Sequence, residues 1–579
     1  MSRDDAAEKP HGLTQGLTQY GDPGFAAYLR RSFARSMGYS TALLKRPIVG
    51  IANSASGLNN CHRHFPELVE AVKRGVLAAG GLPLEFPTIS LGEPFLAPTS
   101  MMFRNLMAMD VEEMVRAQPL DAVVLVGGCD KTVPAQLMGA ASAGVPAIQL
   151  VAGPMMTGRY RDQRLGACTD CRRFWAQYRA GTLAAEEIEL IEGRLATTAG
   201  TCAVMGTAST MAAISETLGM ILPGTAAIPA VHADRLRAAE ATGARAVELA
   251  GSSLTPDKII TAKSVENALR VLLALGGSTN AIVHLTAVAG RLGIEISLVR
   301  LNELSDATPV LVDLKPVGEH YMEDFFAAGG VGAVLQELKP LLHLDCMTIV
   351  GETLERVLAA RPDWVDRRIV RPRQEPFQPQ GGLVALFGSL APRGAILKRA
   401  AASPQLFEVA GRAVVFASLE DLAARIDDPA LDVTPEDFLV LQNAGPKSPA
   451  AMPEAGYLPI PGKLARQGVK DMVRISDARM SGTAFGTIVL HVAPEAADGG
   501  PLGLVRNGDR IRLSVAERRI DLLVAEAELT LRRRAQVPAA PPGRGYARLF
   551  HDHVLQADAG CDFDFLRAVP DARNGTSGG

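Results

Sequence analysis

Residues 121–144 read DAVVLVGGCDKTVPAQLMGAASAG. Five apolar residues, Ala122 to Val126, run into two glycines and then into Cys129, Asp130 and Lys131. A short β-branched run stopped by glycine predicts a buried strand, and the small and apolar residues up to Gly144 predict a helix. A strand without polar alternation, feeding a helix, belongs to a parallel sheet covered on its faces. A thiol, a carboxylate and an amine directly after such a strand are hard to place as packing residues.

The pattern repeats on both sides. PIVGIAN (47–53) is a short apolar strand, followed by FPELVEAVKRGVLAAGG (65–81) with helical period and a glycine stop. LEFPTIS (84–90) is the next strand, and TSMMFRNLMAMDVEEMVRAQ (99–118) a helix with Thr99 as its N-cap. PAIQLVAG (146–153) follows as another strand. Repeated βαβ units imply a parallel sheet with helices on its faces. Residues 361–382, RPDWVDRRIVRPRQEPFQPQGG, carry four prolines and many charges and read as a linker. After it come the β runs GGLVALFG, RAVVFA and DFLVLQNAG, and a hairpin from RIRLSV to IDLLV through AERR. The expected class is α/β, with an N-terminal parallel-sheet domain over 1–375 and a smaller, barrel-like α+β domain over 376–579. The terminal NGTSGG reads as disordered.

Composition narrows the class. The 579 residues are 47% hydrophobic and 21% charged, with a net charge of −3. That balance suits a globular enzyme and does not suit a binder of nucleic acid or membrane surfaces. No apolar run approaches the roughly 20 residues of a membrane span. The polar start MSRDDAAEKPHG does not read as a secretory signal, so a cytoplasmic protein is expected. Seven cysteines, an odd number, argue against a disulfide framework.

In an open parallel sheet, ligands bind beyond the carboxyl ends of the strands. Three strands here run into unusual loops: SASGLNNCHRHF with Cys61, LGEP with Glu93, and GGCDKT with Cys129, Asp130 and Lys131. Taken singly, each residue has a plain reading: a cysteine as a small hydrophobe, a carboxylate as a helix cap, a lysine as solvated. Converging on one edge, they favour chemistry. Cys202 lies in a Gly/Thr loop, ATTAGTCAVMG, ahead of a helix, a setting that favours thiolate. Cys168 and Cys171 form a CxxC with no second pair and no histidine pair, in a charged and aromatic stretch rather than after a strand. A lone motif of this kind is weak evidence for a site. Cys346 and Cys561 read as structural. Beyond the linker, NAGPKSPAAMPEAG (443–456) carries Glu454, and RISDARMSGTAFGT (474–487) carries Ser481 and Thr483 among glycines. GGSTN (276–280) opens a helix, either as an anion cradle or as packing.

These motifs in this order, CDKT, GTC, GGSTN, GP with MPE, and SDARMSG followed by HVAPEAADGGPLG, resemble the dihydroxy-acid and sugar-acid dehydratase family, which includes phosphogluconate dehydratase. LPLEFPTISLGE, MMFRNLMAMDVEEMVR and GYARLFHDHVLQADAGCDFDFL resemble the pentonate branch, of the L-arabinonate type. The resemblance implies a [2Fe–2S] cluster on Cys61, Cys129 and Cys202, with a fourth position left open. It implies Mg²⁺ on Glu93, Asp130, Glu454 and a carbamylated Lys131. It implies Ser481 as the base; Thr483, in the same loop, is the next candidate should the base lie elsewhere. Cys168 and Cys171 lie outside the family pattern, and SPAAMPE is poorer in glycine than the usual loop.

The chemistry implied is loss of water from a 2,3-dihydroxy sugar acid, such as L-arabinonate, D-xylonate or D-fuconate, to the 2-keto-3-deoxy acid. Soft thiolates suit iron and hard oxygens suit Mg²⁺, so CDK would hold the two side by side. A homodimer or homotetramer acting on a small molecule is expected. Three rivals are weighed: the same reaction on 2,3-dihydroxyisovalerate in branched-chain amino-acid biosynthesis, a zinc hydrolase built on CTDC, and a non-catalytic iron–sulfur sensor or carrier. The carboxylate set has no purpose in a carrier.

Overall fold

A computed structural model describes residues 11–536 and 540–568. The polar first ten residues and the terminal NGTSGG lie outside that range.

The first domain is built on four parallel strands, β1 (Ile48–Asn53), β2 (Leu82–Pro87), β3 (Ala122–Gly127) and β4 (Ala147–Val151), in the order β2-β1-β3-β4. The second strand lies two to three residues earlier than its sequence suggests, because Leu82 to Pro87 pair with Ile48 to Asn53. Val123, Val124, Leu125 and Val126 of β3 are fully buried, as the unbroken apolar run requires. Each such side chain contributes roughly 1.5–3 kcal/mol of burial. Helix Ser100–Ala117 starts at Thr99, whose hydroxyl accepts from Met101 N. Helix Phe65–Ala78 packs on helix Ala233–Leu249 at glycine contacts: a Cβ on Gly75 or Gly243 would collide with the facing backbone. A small hairpin, β5 (Gly158–Tyr160) and β6 (Gln163–Leu165), follows.

The second domain is one mixed sheet of eight strands: β7 (Val384–Leu386), β8 (Gly394–Leu397), β9 (Glu408–Phe416), β10 (Phe438–Leu441), β11 (Arg474–Ser476), β12 (Ile488–Ala493), β13 (Arg510–Ser514) and β14 (Arg519–Leu522). Its order is β14-β13-β9-β10-β11-β12-β8-β7. Strands β9 to β12 are parallel, and the outer ones antiparallel. Phe387, just past β7, bridges to Arg519 of β14, which nearly closes the sheet into a barrel. The expected hairpin is β13–β14, paired from Ile511–Leu522 to Ser514–Arg519.

Several seams join the domains. Val370 and Gln378, in the proline-rich stretch, bridge back to Val312 and Val310. The C-terminal segment returns to the first domain, where Arg291 pairs with Asp562 at 2.6 Å with both side chains buried. Arg104 donates to the carbonyls of Gly560 and Cys561 at 2.8 Å. Among the described residues no helix is long and apolar enough to cross a membrane.

Candidate active site

All three chemistry-bearing loops leave the same edge of the first sheet, as parallel pairing of β1 with β2 and β3 requires. Cys61 sits in the single turn Asn60–His62, Glu93 opens the turn Glu93–Phe95, and Cys129 to Lys131 join β3 to helix Thr132–Ala143. None of them acts as a helix cap: the N-cap positions are Gly92 and Lys131, and neither makes a side-chain cap.

The carboxylates converge. Glu93, Asp130 and Glu454 offer oxygens that all lie within 4.8 Å of one another. Lys131 is fully buried, not solvated; its Nζ donates to Asp130 at 2.7 Å and to Glu93 at 3.3 Å. Burial and the Arg479 charge push the ammonium down, but Asp130, Glu93 and Glu454 carry it above its usual range. Against burial, Arg479 and Lys131 hold Glu93 well below the carboxylate range. Burial and the Glu93 charge push Glu454 up to about 7.

Arg479 is the residue the sequence reading passed over. It lies inside the SDARMSG motif, is 1% exposed, and reaches Glu93 and Glu454 at 2.6 Å each. It also donates to Thr99 Oγ1 at 2.8 Å and to the Met452 carbonyl at 2.9 Å. One guanidinium thus ties the second domain to a loop and a helix start of the first. A buried Arg so paired is positioned by four of its five donors. The Glu454 loop turns at Ala451 and Met452, with φ of +50° and +60°, the left-handed region where glycine is favoured. That is the structural consequence of the glycine-poor SPAAMPE.

The thiols gather beside the carboxylates. Cys129 Sγ lies 3.6 Å from Asp130 Oδ1, and the neighbouring Cys61 thiol and burial push the Cys129 thiol up. His62 orients this loop: Nδ1 donates to the Ser54 carbonyl at 2.7 Å, and Nε2 accepts from Cys129 N at 2.9 Å. Burial lowers His62 to about 3, so the ring is neutral, as those two bonds demand. A Cβ on Gly128 would strike Ala152 and the His62 ring, which explains the second glycine of GGC.

Two sequence expectations about cysteines are corrected. Cys202 is not at a helix start; its helix, Thr207–Leu218, is capped by Gly206. The neighbouring Cys168 thiol and burial push the Cys202 thiol up, not down. The thiol at a helix N-cap is Cys168, ahead of helix Thr169–Arg179, and it follows the strand β6. Cys168 Sγ stands 3.9 Å from Cys202 Sγ, so the CxxC borders the thiol group instead of lying apart from it. Cys346 and Cys561 are buried among Asn267 and Met452, as structural residues.

The Ser481 loop covers this cluster from the second domain. Ser481 Oγ lies 2.8 Å from Thr483 Oγ1, and the Thr483 carbonyl accepts from Thr169 Oγ1 at 3.0 Å. A Cβ on Gly206 would lie 2.9 Å from Thr483 Cγ2 and 4.0 Å from Cys202 Cβ, so the loop rests against the GTC segment. GGSTN packs beneath it: Ser278 Oγ and Thr207 Oγ1 are 2.8 Å apart, and Asn280 Nδ2 donates to the Met480 carbonyl at 3.0 Å. Lys398, buried at the end of β8, donates to the Gly482 carbonyl at 3.2 Å. Burial lowers its ammonium to about 7. Lys398 carries no sequence signal beyond a lysine after an apolar run.

Three thiols thus lie beside three carboxylates, faced by a hydroxyl loop from the second domain. Residues 46–357 match the dihydroxy-acid/6-phosphogluconate dehydratase N-terminal domain, and residues 368–561 match its C-terminal domain. The chain belongs to this family and is a hydro-lyase by that membership. It is 49% identical to an L-arabonate dehydratase of Azospirillum brasilense over 531 residues, 90% of this chain and 91% of that one. It is 44% identical to a 6-deoxy-6-sulfo-D-gluconate dehydratase of Pseudomonas putida over 94% of this chain and 96% of that one. A dihydroxy-acid dehydratase of Syntrophobacter fumaroxidans is 38% identical over 92% and 96%.

Proposed function

We propose that this protein dehydrates a 2,3-dihydroxy sugar acid, an aldonate such as L-arabinonate, D-xylonate or D-fuconate, to the 2-keto-3-deoxy acid. The observation that carries the reading is the meeting of the Cys61, Cys129 and Cys202 loops with the Glu93, Asp130 and Glu454 oxygens on one sheet edge. The higher identity to two sugar-acid dehydratases than to a dihydroxy-acid dehydratase supports the sugar-acid substrate over 2,3-dihydroxyisovalerate.

The donor set fits both inorganic groups. Cys61, Cys129 and Cys202 would hold a [2Fe–2S] cluster, and Glu93, Asp130, Glu454 and Lys131 would hold Mg²⁺. Bound together, the two supply Lewis acidity to the hydroxyl that leaves and to the carboxylate beside the acidic carbon. Lys131 enters the Mg²⁺ set as a carbamate, formed when its neutral amine adds to CO₂ and releases a proton. Replacing an ammonium by a carbamate removes two charges and Mg²⁺ restores them. The buried cluster with Arg479 therefore keeps the same net charge loaded or empty.

Ser481, as its alkoxide, takes the proton from C2 as the C3 hydroxyl departs with its bonding electrons, the proton passes to that hydroxide to release water, and the enol then ketonises. Thr483 holds the serine oxygen through its hydroxyl, and Lys398 fixes the loop through the Gly482 carbonyl. Arg479 keeps Glu93 and Glu454 aligned across the domain junction. A cytoplasmic homo-oligomer is part of this proposal: Phe25, Tyr28, Phe33 and Met37 are four exposed apolar side chains on one helical segment, which supports a contact between copies.

The test is turnover of anaerobically purified enzyme on a panel of aldonates and 2,3-dihydroxyisovalerate, with exchange of the C2 proton into D₂O measured in parallel. Ser481→Ala should keep its iron and its fold and lose about 10²- to 10⁴-fold in kcat. Near-wild-type turnover in that variant assigns the base elsewhere. Preference for 2,3-dihydroxyisovalerate reassigns the substrate.

A further inference from the structure

Cys168 and Cys171 fall outside the residues used above, yet the chain around Cys168 is fixed against the chain around Cys202. Ala203 N donates to the Ala167 carbonyl at 3.2 Å, pairing the residue before Cys168 with the residue after Cys202. Lys315 fastens both segments: its carbonyl accepts from Met205 N at 2.9 Å, and its Nζ donates to Asp170 at 3.2 Å. Asp170 in turn accepts from Gly166 N at 2.8 Å and from Tyr321 Oη at 3.0 Å. On the other side of Cys202, Thr201 N donates to the Gly153 carbonyl at 3.0 Å, and the Thr201 carbonyl accepts from Met155 N at 2.8 Å. Between these ties the Cys168 and Cys202 sulfurs stand 3.9 Å apart.

A disulfide needs its two sulfurs to close to about 2.0 Å, which side-chain rotation supplies where the backbones are already neighbours. Cys168, Cys171 and Cys202 are each half-buried and free, so a solute as small as hydrogen peroxide has access to them. In a reducing compartment a disulfide at such a place is transient and redox-sensing, not structural.

We propose that Cys168 is a peroxide-modification site and becomes the disulfide partner of Cys202 whenever Cys202 carries no iron. The role of Cys202 as a cluster thiol rests on the reading of the preceding section; the pairing of the two sulfurs does not. While the cluster is bound, Cys202 is engaged, Cys168 stays outside the cluster, and the fourth coordination position stays open. Without the cluster, the Cys168 sulfur attacks one oxygen of hydrogen peroxide. The O–O bond breaks, one water leaves, and Cys168 is a sulfenic acid. The Cys202 sulfur then attacks the Cys168 sulfur, the S–O bond breaks, and a second water leaves. Two thiols are oxidised by two electrons, one peroxide is reduced to two waters, and the thiol protons end in those waters. The disulfide holds Cys202 at a reversible stage, short of the sulfinic acid that thiols do not reduce. It also withholds a ligand, so a new cluster is built only after a dithiol has reopened the bond.

The experiment treats anaerobically purified holoenzyme with stepwise hydrogen peroxide. Iron, acid-labile sulfide and titratable thiols are counted at each step, and alkylated protein is mapped by non-reducing peptide mass spectrometry. A Cys168–Cys202 cross-linked peptide should appear in step with iron loss, and dithiothreitol should return both thiols and allow iron and sulfide to be taken up again. Cys171→Ser should form the same cross-link. Cys168→Ser should lose iron in the same way but carry Cys202 as sulfinic acid, with cluster uptake not restored by dithiothreitol; Cys168→Ala replaces it if far-UV circular dichroism shows that the serine variant misfolds. A Cys168–Cys171 bond in place of Cys168–Cys202, or both thiols free after iron has gone, overturns the proposal and leaves the proposed function standing. The Cys168–Cys202 bond in protein that keeps all its iron and sulfide removes Cys202 from the cluster, and so overturns the ligand set of the preceding section and the coupling to iron while retaining the modification site.

Discussion

Lys398 offers a measurement in which the structure sets size and sign together. Its side chain is fully buried, it makes no ion pair among the described residues, and its one hydrogen bond goes to the Gly482 carbonyl at 3.2 Å. Burial lowers its pKa from 10.5 to about 7. The unfolded chain therefore binds one more proton than the folded protein between about pH 7 and pH 10.5, and stability rises with pH across that window. Below pH 7 both states are protonated and the full penalty, about 5 kcal/mol, weighs on the fold. Lys398→Met keeps the length and removes the charge. The variant should gain about 5 kcal/mol at pH 6 and about 2 kcal/mol at pH 9, each reduced by about 1 kcal/mol for the lost hydrogen bond. Urea unfolding followed by far-UV circular dichroism at the two pH values reads the difference directly. A gain that is the same at pH 6 and pH 9 would show that Lys398 does not titrate in the folded protein. A variant less stable at pH 6 would show that it is paired. Activity should fall in the same variant, because the Ser481 loop loses its anchor.

Lys131→Ala should abolish turnover while leaving visible absorbance and iron content near wild type, since no thiol depends on it; full activity would remove the lysine from the Mg²⁺ set. Chelation with EDTA should stop turnover without changing far-UV circular dichroism, because Arg479, and Lys131 once its carbamate is lost, pair with Glu93, Asp130 and Glu454 when the cation leaves, and added Mg²⁺ with CO₂ should restore it. Gly482→Ala would set a methyl 2.6 Å from Thr207 N and 2.8 Å from Ser278, and should cost about 1–3 kcal/mol in stability and displace Ser481; a fully active variant would show that the loop tolerates the shift.

Much of this protein is legible in its chain. The run Ala122–Val126, stopped by two glycines, determines a buried parallel strand, because an unbroken apolar segment must be covered on both faces. Parallel pairing then forces Cys61, Glu93 and Cys129 to Lys131 onto one edge, since all three loops leave carboxyl ends. The hairpin β13–β14 is equally local. The three-residue strand β11, by contrast, is too short to show periodicity and exists because its neighbours pair with it.

What only the tertiary structure decided are the contacts between distant segments. Arg479 reads as an ordinary surface residue, because arginine is rarely buried unless paired, and its partners lie 386 and 25 positions away. Lys398 follows an apolar strand like many solvated lysines, and only the closing barrel shuts it from water. Cys168 looks isolated along the chain, 34 residues from Cys202, until the Ala167 and Ala203 backbones pair and bring the two sulfurs together. Periodicity and turn residues act over a few positions, so they place a strand and its loop. Charge pairing, dehydration and thiol proximity depend on distance through space, which the chain acquires only when distant segments fold together, within each domain and between the two.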